Sequence, residues 1–136
     1  MYNSRVARAS ANVLQKVPLF ASLDDREREQ IAASMVERRF AAGDTITREG
    51  AGGAGFFVVE DGHAEVTVGG ESRGTLGPGD YFGEIALLTD SARTATIVAT
   101  TDMACYGMTP WEFRPLVESN SEIAWKLLTA MAEKLR

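Results

Sequence analysis

The chain has 136 residues, 14 of them basic and 19 acidic, which gives a formal net charge of −5. A chain of this length is predicted to fold as one domain over residues 1–136. Its basic residues are scattered rather than gathered into a stripe, so the composition argues against a protein that binds nucleic acid by itself.

The first part of the chain is predicted to be helical and to carry no targeting segment. Arg5 and Arg8 precede no apolar core, so no secretory signal is expected. No apolar run approaches the roughly 20 residues of a membrane span, and the expected location is the cytoplasm. Ser22 is predicted to cap a helix that continues through apolar residues at three- and four-residue spacing. These residues are Ile31, Ala32, Met35 and Val36.

From about residue 39 to residue 109 the chain changes character. Glycines interrupt short β-branched or aromatic runs, such as residues 56–59 and 94–98. Short strands with turn signals at this spacing predict an all-β barrel, sandwich or jelly roll. Residues 64–68 followed by Gly69 and Gly70 predict a hairpin, because paired glycines accept the positive φ angles of tight turns. The single cysteine, Cys105, allows no internal disulfide, fits a reducing compartment and is predicted to be a core residue.

The last part returns to helix. Pro110 suits a first helical position, where a missing N–H costs least. Asn120 or Ser121 is predicted to begin a final helix with an apolar stripe. The stripe consists of Ile123, Leu127, Leu128, Met131 and Leu135. The predicted fold class is therefore α+β, with a β-roll between helical ends.

Residues 82–96 combine groups that suit a small phosphorylated ligand. Gly83 lets the backbone approach a ligand closely. Ile85 and Ala86 are predicted to lie in a first helical turn, whose free N–H groups attract an anion. Arg93 carries a forked guanidinium that can donate two parallel hydrogen bonds to phosphate oxygens. Phosphate would repel the carboxylate of Glu84, so a ribose 2′-hydroxyl is its expected partner.

This segment resembles the phosphate-binding cassette of the cyclic nucleotide-binding domain family. Residues 40–50, 56–66 and 76–80 are similar to the family's earlier strands and turns in the same order, so the resemblance spans roughly residues 15–135. Ala92 departs from the pattern, because many members have proline there. The resemblance implies an eight-stranded antiparallel β-roll, or double-stranded β-helix, with helices at both ends.

The resemblance also implies a regulatory or sensor domain that binds a cyclic nucleotide and passes the signal on by movement of the C-terminal helix. The implied ligand-binding residues are Gly83, Glu84, Ile85, Ala86, Arg93, Thr94 and, as an apolar wall beside the base, Val66. The family's cyclic GMP binders use a hydroxyl such as that of Thr94 against the guanine 2-amino group, whereas bacterial domains that prefer cyclic AMP have the same Arg-Thr pair and use it for the phosphate. The alanine- and arginine-rich helices are bacterial in style, so cyclic AMP is the expected ligand and cyclic GMP the alternative. No residue is expected to break a bond in the ligand, so no catalytic residue, enzyme activity or cofactor is predicted. The effector, a further domain or a protein partner, is left open.

Two alternatives belong to other functional classes. Glu84 and Arg93 could form a structural ion pair in a scaffold or interaction module that keeps the fold and binds no nucleotide. A β-barrel enzyme with a metal centre would need several imidazole and carboxylate ligands, and His63 is the only histidine. No metal site is therefore predicted.

Overall fold

The computed structural model describes residues 11–51, 55–83, 87–88 and 93–135. The chain forms two compact units, one from the residues up to Met35 together with those from Trp111, and one from Val36–Pro110. The single domain over residues 1–136 stays a prediction. Within the described ranges, no helix is both long enough and apolar enough to cross a membrane.

The Val36–Pro110 unit contains eight described strands in two four-stranded sheets. They are β1 Val36–Phe40, β2 Thr45–Thr47, β3 Phe56–Asp61, β4 Ala64–Val68, β5 Glu71–Leu76, β6 Tyr81–Phe82, β7 Thr96–Ala99 and β8 Met103–Met108. One sheet has the order β1-β8-β3-β6 and the other β2-β7-β4-β5, with antiparallel pairing throughout. The antiparallel β-roll predicted from the sequence is confirmed.

The core of this unit lies between the two sheets. Its buried cluster takes residues from both, namely Val59, Met103 and Cys105 from one sheet and Ala64, Ile97 and Ala99 from the other. Cys105 is wholly buried, as predicted, and burial raises the pKa of its thiol from 9.0 to about 11. The thiol is therefore protonated at neutral pH and packs as a small apolar group.

Two local predictions in the β unit have different outcomes. Gly69 and Gly70 have φ angles of +60° and +83° and join β4 to β5, which confirms the hairpin. The strand predicted from residue 94 begins at Thr96 instead. The backbone just before it is paired with residues 50 and 51, because Arg93 exchanges hydrogen bonds with that turn.

The second unit is helical. Residues 11–14 are helical, a 3₁₀ turn spans Pro18–Phe20, and three helices follow: α1 Asp25–Ala33, α2 Pro110–Glu118 and α3 Ser121–Lys134. Within this unit the rings of Phe20 and Phe113 meet edge to face, with their centroids 6.0 Å apart. Pro110 is the first residue of α2, as its missing N–H predicted.

The helix caps correct one prediction and confirm another. Ser22 was expected to cap α1, but Asp24 does so: its side chain accepts the Glu27 N–H at 2.8 Å, and Glu27 accepts the Asp24 N–H at 2.9 Å. This reciprocal capping box satisfies two otherwise free N–H groups, which Ser22 lies too early to do. Asn120 caps α3 by accepting the Ile123 N–H at 3.1 Å.

The apolar stripe predicted on α3 is only partly buried. Ile123 and Leu127 are buried, whereas Leu128 and Leu135 are 63% and 87% exposed. Ile123 and Leu127 lie four residues apart on one face, and Leu128 is rotated about 100° from Leu127. The prediction was therefore wrong to include Leu128 and Leu135 in the apolar face that packs against the unit.

Candidate ligand-binding site

The structure describes four of the seven predicted site residues: Val66, Gly83, Arg93 and Thr94. Glu84, Ile85 and Ala86 lie outside the described residues, as does Ala92, where the sequence departs from the family pattern. Their predicted roles remain predictions.

Gly83 follows β6 in a conformation that favours glycine. Its φ angle is +86°, and a Cβ atom built on it would overlap the carbonyl oxygen of Gly55 and lie 2.7 Å from Nη1 of Arg93. An L side chain here would be strained and would also displace one of these two groups. Gly83, Gly55 and Arg93 therefore form one tight cluster.

The guanidinium of Arg93 is partly buried in this cluster. Its Nη2 donates to the carbonyl oxygen of Gly55 at 2.6 Å. Its Nε is buried and has no hydrogen-bond partner among the described residues. Burial lowers the pKa of this group from its ordinary value, but an arginine remains charged at neutral pH.

This arrangement leaves a positive charge without a negative partner in the described part of the chain. None of the ion pairs there includes Arg93. A partly buried cation loses some of its hydration, and a buried donor without an acceptor adds to the cost in free energy. An anion bound at the guanidinium would offset both.

Two backbone hydrogen bonds hold Arg93 in place. The N–H of Gly50 donates to the Arg93 carbonyl oxygen at 2.8 Å, and the N–H of Arg93 donates to the Ala51 carbonyl oxygen at 3.0 Å. With the bond to Gly55, three contacts fix both the main chain and the side chain of Arg93. No local sequence signal marked these partners, because they lie far from Arg93 along the chain and Gly55 resembles any turn glycine.

The remaining described site residues have different surroundings. Thr94 is exposed directly after Arg93, where a ligand could reach it. Val66 lies outside the Gly55, Gly83 and Arg93 cluster, in the middle of β4, where it is half-buried and packs against the core between the sheets. The structure thus groups Gly83 with Arg93 and places Val66 on β4, which pairs with β7, the strand that follows Arg93.

An aromatic pair, which the sequence did not reveal, supports the cluster. Phe57 and Phe82 stack with their centroids 5.2 Å apart, and Phe82 directly precedes Gly83. A Cβ on Gly55 would lie 3.0 Å from the Phe57 ring, and one on Gly107 would lie 2.8 Å from it. The Phe57 ring therefore fills the space beneath both glycines and fixes the end of β6.

As for metals, the described residues contain no group of three or more His, Cys, Asp or Glu side chains that could hold an ion. The described site therefore offers hydrogen-bond donors and a positive charge. This chemistry fits a bound anion.

Comparison with solved structures extends the fold assignment. The crystal structure of the N-terminal domain of a transcriptional regulator from Streptomyces coelicolor A3(2) superimposes with a TM-score of 0.83 at 33% identity, covering 91% of this chain and 92% of that one. The regulatory domain of Toxoplasma gondii PKA, solved with cAMP, gives a TM-score of 0.74 at 27% identity, covering 85% of this chain and 46% of that one.

Sequence comparison points the same way. A cAMP-dependent protein kinase regulatory subunit from Hypocrea atroviridis is 40% identical over 96 residues, which is 71% of this chain and 21% of that protein. The subunit from Schizosaccharomyces pombe is 41% identical over 91 residues, covering 66% and 22%. The chain thus spans only about a fifth to a quarter of the length of these curated relatives. The family model for the cyclic nucleotide-binding domain matches residues 37–120, and the chain belongs to the cyclic nucleotide-binding domain family.

Proposed function

We propose that the chain is a regulatory domain that binds a cyclic nucleotide, with cyclic AMP preferred to cyclic GMP, and that Arg93 is its main phosphate ligand. The observation that carries the proposal is the Arg93 guanidinium: held by Gly55, buried at Nε and without a negative partner in the described residues. Family membership supports the ligand class.

The phosphate of a cyclic nucleotide matches this guanidinium. It carries a single negative charge on two free oxygens, to which one arginine can donate two parallel hydrogen bonds. The bond to Gly55 uses one of the two N–H groups of Nη2. The other N–H of Nη2 is parallel to a neighbouring N–H of the guanidinium, so one such pair can still form. The N–H groups of Ile85 and Ala86 are proposed to complete the phosphate site beside Gly83.

The other predicted residues are proposed to recognise the sugar and the base. Glu84 would accept the ribose 2′-hydroxyl, and Val66 would form an apolar wall beside the base. Thr94 would donate its hydroxyl to the phosphate rather than read the base, which gives no advantage to cyclic GMP. The cyclic AMP in the Toxoplasma structure supports the same base preference.

We propose that the domain passes on a signal by binding the nucleotide, without any chemical reaction. A ligand shifts a protein toward the state that it binds better, and we propose that the C-terminal helix differs between the two states. No catalytic residue and no cofactor are part of the proposal. The curated relatives are regulatory subunits of a protein kinase, which supports an effector protein or domain controlled by this one. A cytoplasmic location is part of the proposal.

Calorimetric titration of the chain with cyclic AMP and cyclic GMP tests the proposal. Arg93→Ala should lose about 2 to 5 kcal/mol of binding free energy, the cost of removing one partner of a buried charge pair. Arg73→Ala is the matched control, because it removes an exposed arginine of β5 that lies 4.0 Å from Glu71. It should bind as the unaltered chain does.

Two results would contradict the proposal. If Arg93→Ala bound cyclic AMP within about threefold of the unaltered chain, the phosphate site would be wrong. If the unaltered chain bound neither nucleotide, the domain would be a scaffold that keeps the fold alone. Circular dichroism of each variant tests whether a loss of binding is caused by a loss of structure.

A further inference from the structure

Glu49 connects three segments of the β unit. Its side-chain Oε1 accepts the N–H of Gly69, in the β4–β5 turn, at 2.9 Å. Its own N–H donates to the hydroxyl of Thr96, the first residue of β7, at 2.9 Å. One residue thus ties the chain after β2 to a hairpin turn and to the start of another strand.

The residues after Glu49 hold the proposed phosphate ligand. Gly50 and Ala51 exchange two backbone hydrogen bonds with Arg93, at 2.8 and 3.0 Å. The Ala51 N–H also donates to the Arg48 carbonyl oxygen at 3.0 Å, which closes a tight turn over residues 48–51. This turn is therefore anchored to the hairpin by Glu49 and to Arg93 by its last two residues.

We propose that Glu49 is a positioning residue for Arg93. Its carboxylate fixes the 48–51 turn against the β4–β5 hairpin, and the turn fixes the backbone of Arg93, so that the guanidinium is preorganised for phosphate. The role is indirect, since a carboxylate beside a phosphate would repel it. The inference rests on the proposed function, because positioning matters for affinity only if Arg93 binds the phosphate.

A positioning role can be separated from a structural one. Glu49 is exposed, and the loss of one exposed hydrogen bond changes the free energy of unfolding little. Preorganisation of a binding group, by contrast, contributes directly to affinity. Loss of the Glu49 bond should therefore lower affinity far more than it lowers the melting temperature.

The test compares three variants by calorimetric titration with cyclic AMP. Glu49→Ala should bind about tenfold more weakly, because the 48–51 turn would no longer hold Arg93 in place before the phosphate binds. Glu49→Gln keeps an oxygen that can accept the Gly69 N–H and should stay within about threefold of the unaltered chain. Glu71→Ala is the matched control, because it removes the same charge from the other end of the hairpin turn, where Glu71 lies 4.0 Å from Arg73.

A double-mutant cycle asks whether Glu49 acts through Arg93. Arg93→Lys keeps the charge but cannot donate two parallel hydrogen bonds to phosphate. In that background Glu49→Ala should cost less than about twofold in affinity. An equal loss in both backgrounds, or a loss in Glu49→Gln as large as in Glu49→Ala, would overturn the positioning role.

A measurement without nucleotide separates this inference from the proposed function. Amide hydrogen exchange of the free protein should be faster at Gly50 and Arg93 in Glu49→Ala than in the unaltered chain or in Glu71→Ala. Unchanged exchange at both amides would overturn the positioning role even if cyclic AMP binds. Faster exchange in Glu49→Ala, together with no nucleotide binding by the unaltered chain, would contradict the proposed function. It would still show that Glu49 orders the turn and Arg93.

Discussion

Gly62 and Gly83 have similar left-handed backbone conformations, and only Gly83 lies in the proposed site. Their φ angles are +90° and +86°, and a Cβ on either would overlap a carbonyl oxygen, that of Asp102 or that of Gly55 respectively. Only Gly83 also has Arg93 as a close neighbour; the other near atoms at Gly62 belong to Met103. Substitutions at these two glycines can therefore distinguish the effect of backbone strain from an effect on ligand binding.

At the residue scale we expect Gly83→Ala and Gly62→Ala to destabilise the fold similarly and to differ in binding. Each should lose roughly 1 to 3 kcal/mol from the left-handed backbone alone, with more from the overlap. Only Gly83→Ala should also weaken cyclic AMP binding, by at least about tenfold, because its Cβ displaces the guanidinium. Urea unfolding and calorimetry measure the two effects.

The comparison also shows what would count against the site. If Gly83→Ala bound cyclic AMP as tightly as Gly62→Ala does, the space beside Gly83 would not be shared with the phosphate-binding group. Gly79→Ala provides a further control, since Gly79 has a φ angle of +90° with no atom within 4 Å of a built Cβ. It should show the backbone cost without the overlap.

Single residues of the site were predictable to different degrees. Gly83 and Arg93 could be placed together because their chemistry is carried by the residue types themselves. Gly55 could not, since its role is to offer a carbonyl oxygen, which every residue has. Glu49 was missed for a similar reason: an exposed carboxylate in a turn has no local signal for a bond to an amide 20 residues away.

At the scale of elements, Glu27 links two helices of the helical unit. Its Oε1 accepts the Asp24 N–H in the α1 capping box at 2.9 Å and the Lys126 ammonium of α3 at 2.7 Å. The pKa of Lys126 is raised above its ordinary value of 10.5, mainly by this hydrogen bond and also by the charge of Glu27. The charged form of Lys126 therefore stabilises the folded state.

The pH dependence of this link has a definite sign. A raised folded-state pKa gives stability that is fully present below 10.5 and is lost as the pH rises through the folded value. The unaltered chain should therefore have a higher melting temperature than Lys126→Met near pH 8, and the gap should close as the pH rises through the raised pKa of Lys126. Lys16→Met is the control and should show no such closing gap, because it removes an exposed lysine that belongs to no ion pair among the described residues.

Thermal melts of the three proteins across this range test the link. A gap between the unaltered chain and Lys126→Met that stays constant as the pH rises through the pKa of Lys126 would assign the effect to the lost lysine stem rather than to its charge. The aliphatic stem of a lysine can itself cover apolar surface, so the pH series is needed to tell these apart.

Elements were easier to predict where local chemistry decides them. The hairpin at Gly69 and Gly70 and the cap at Asn120 depend on a few adjacent residues, and both are confirmed. The start of β7 depends on the hydrogen bonds between the Arg93 backbone and residues 50 and 51, which lie far away along the chain. Local sequence cannot predict such contacts. The cap of α1 was readable as Asp24 followed three residues later by Glu27, and choosing Ser22 overlooked that pattern.

At the scale of the whole molecule, the charge balance constrains how a nucleotide can bind. The chain carries −5 and the proposed ligand is itself an anion, so the net field does not attract it. Affinity must come from local groups, among which Arg93 and the N–H groups beside Gly83 are proposed. All of the proposed ligand-binding residues belong to the Val36–Pro110 unit.

Because a bound ligand stabilises the folded state, the affinity of this local site also determines the thermal stability of the whole chain. A ligand that binds only the folded state stabilises it by about 2.7 kcal/mol at 100 times its dissociation constant. For a chain of 136 residues this corresponds to a rise in Tm of roughly 8 °C. We expect this rise with cyclic AMP, a smaller one with the same concentration of cyclic GMP, and less than about 3 °C for Arg93→Ala with either. Differential scanning calorimetry measures all of them, and an equal rise in Arg93→Ala would place the nucleotide at a site other than the one built on Gly55, Gly83 and Arg93.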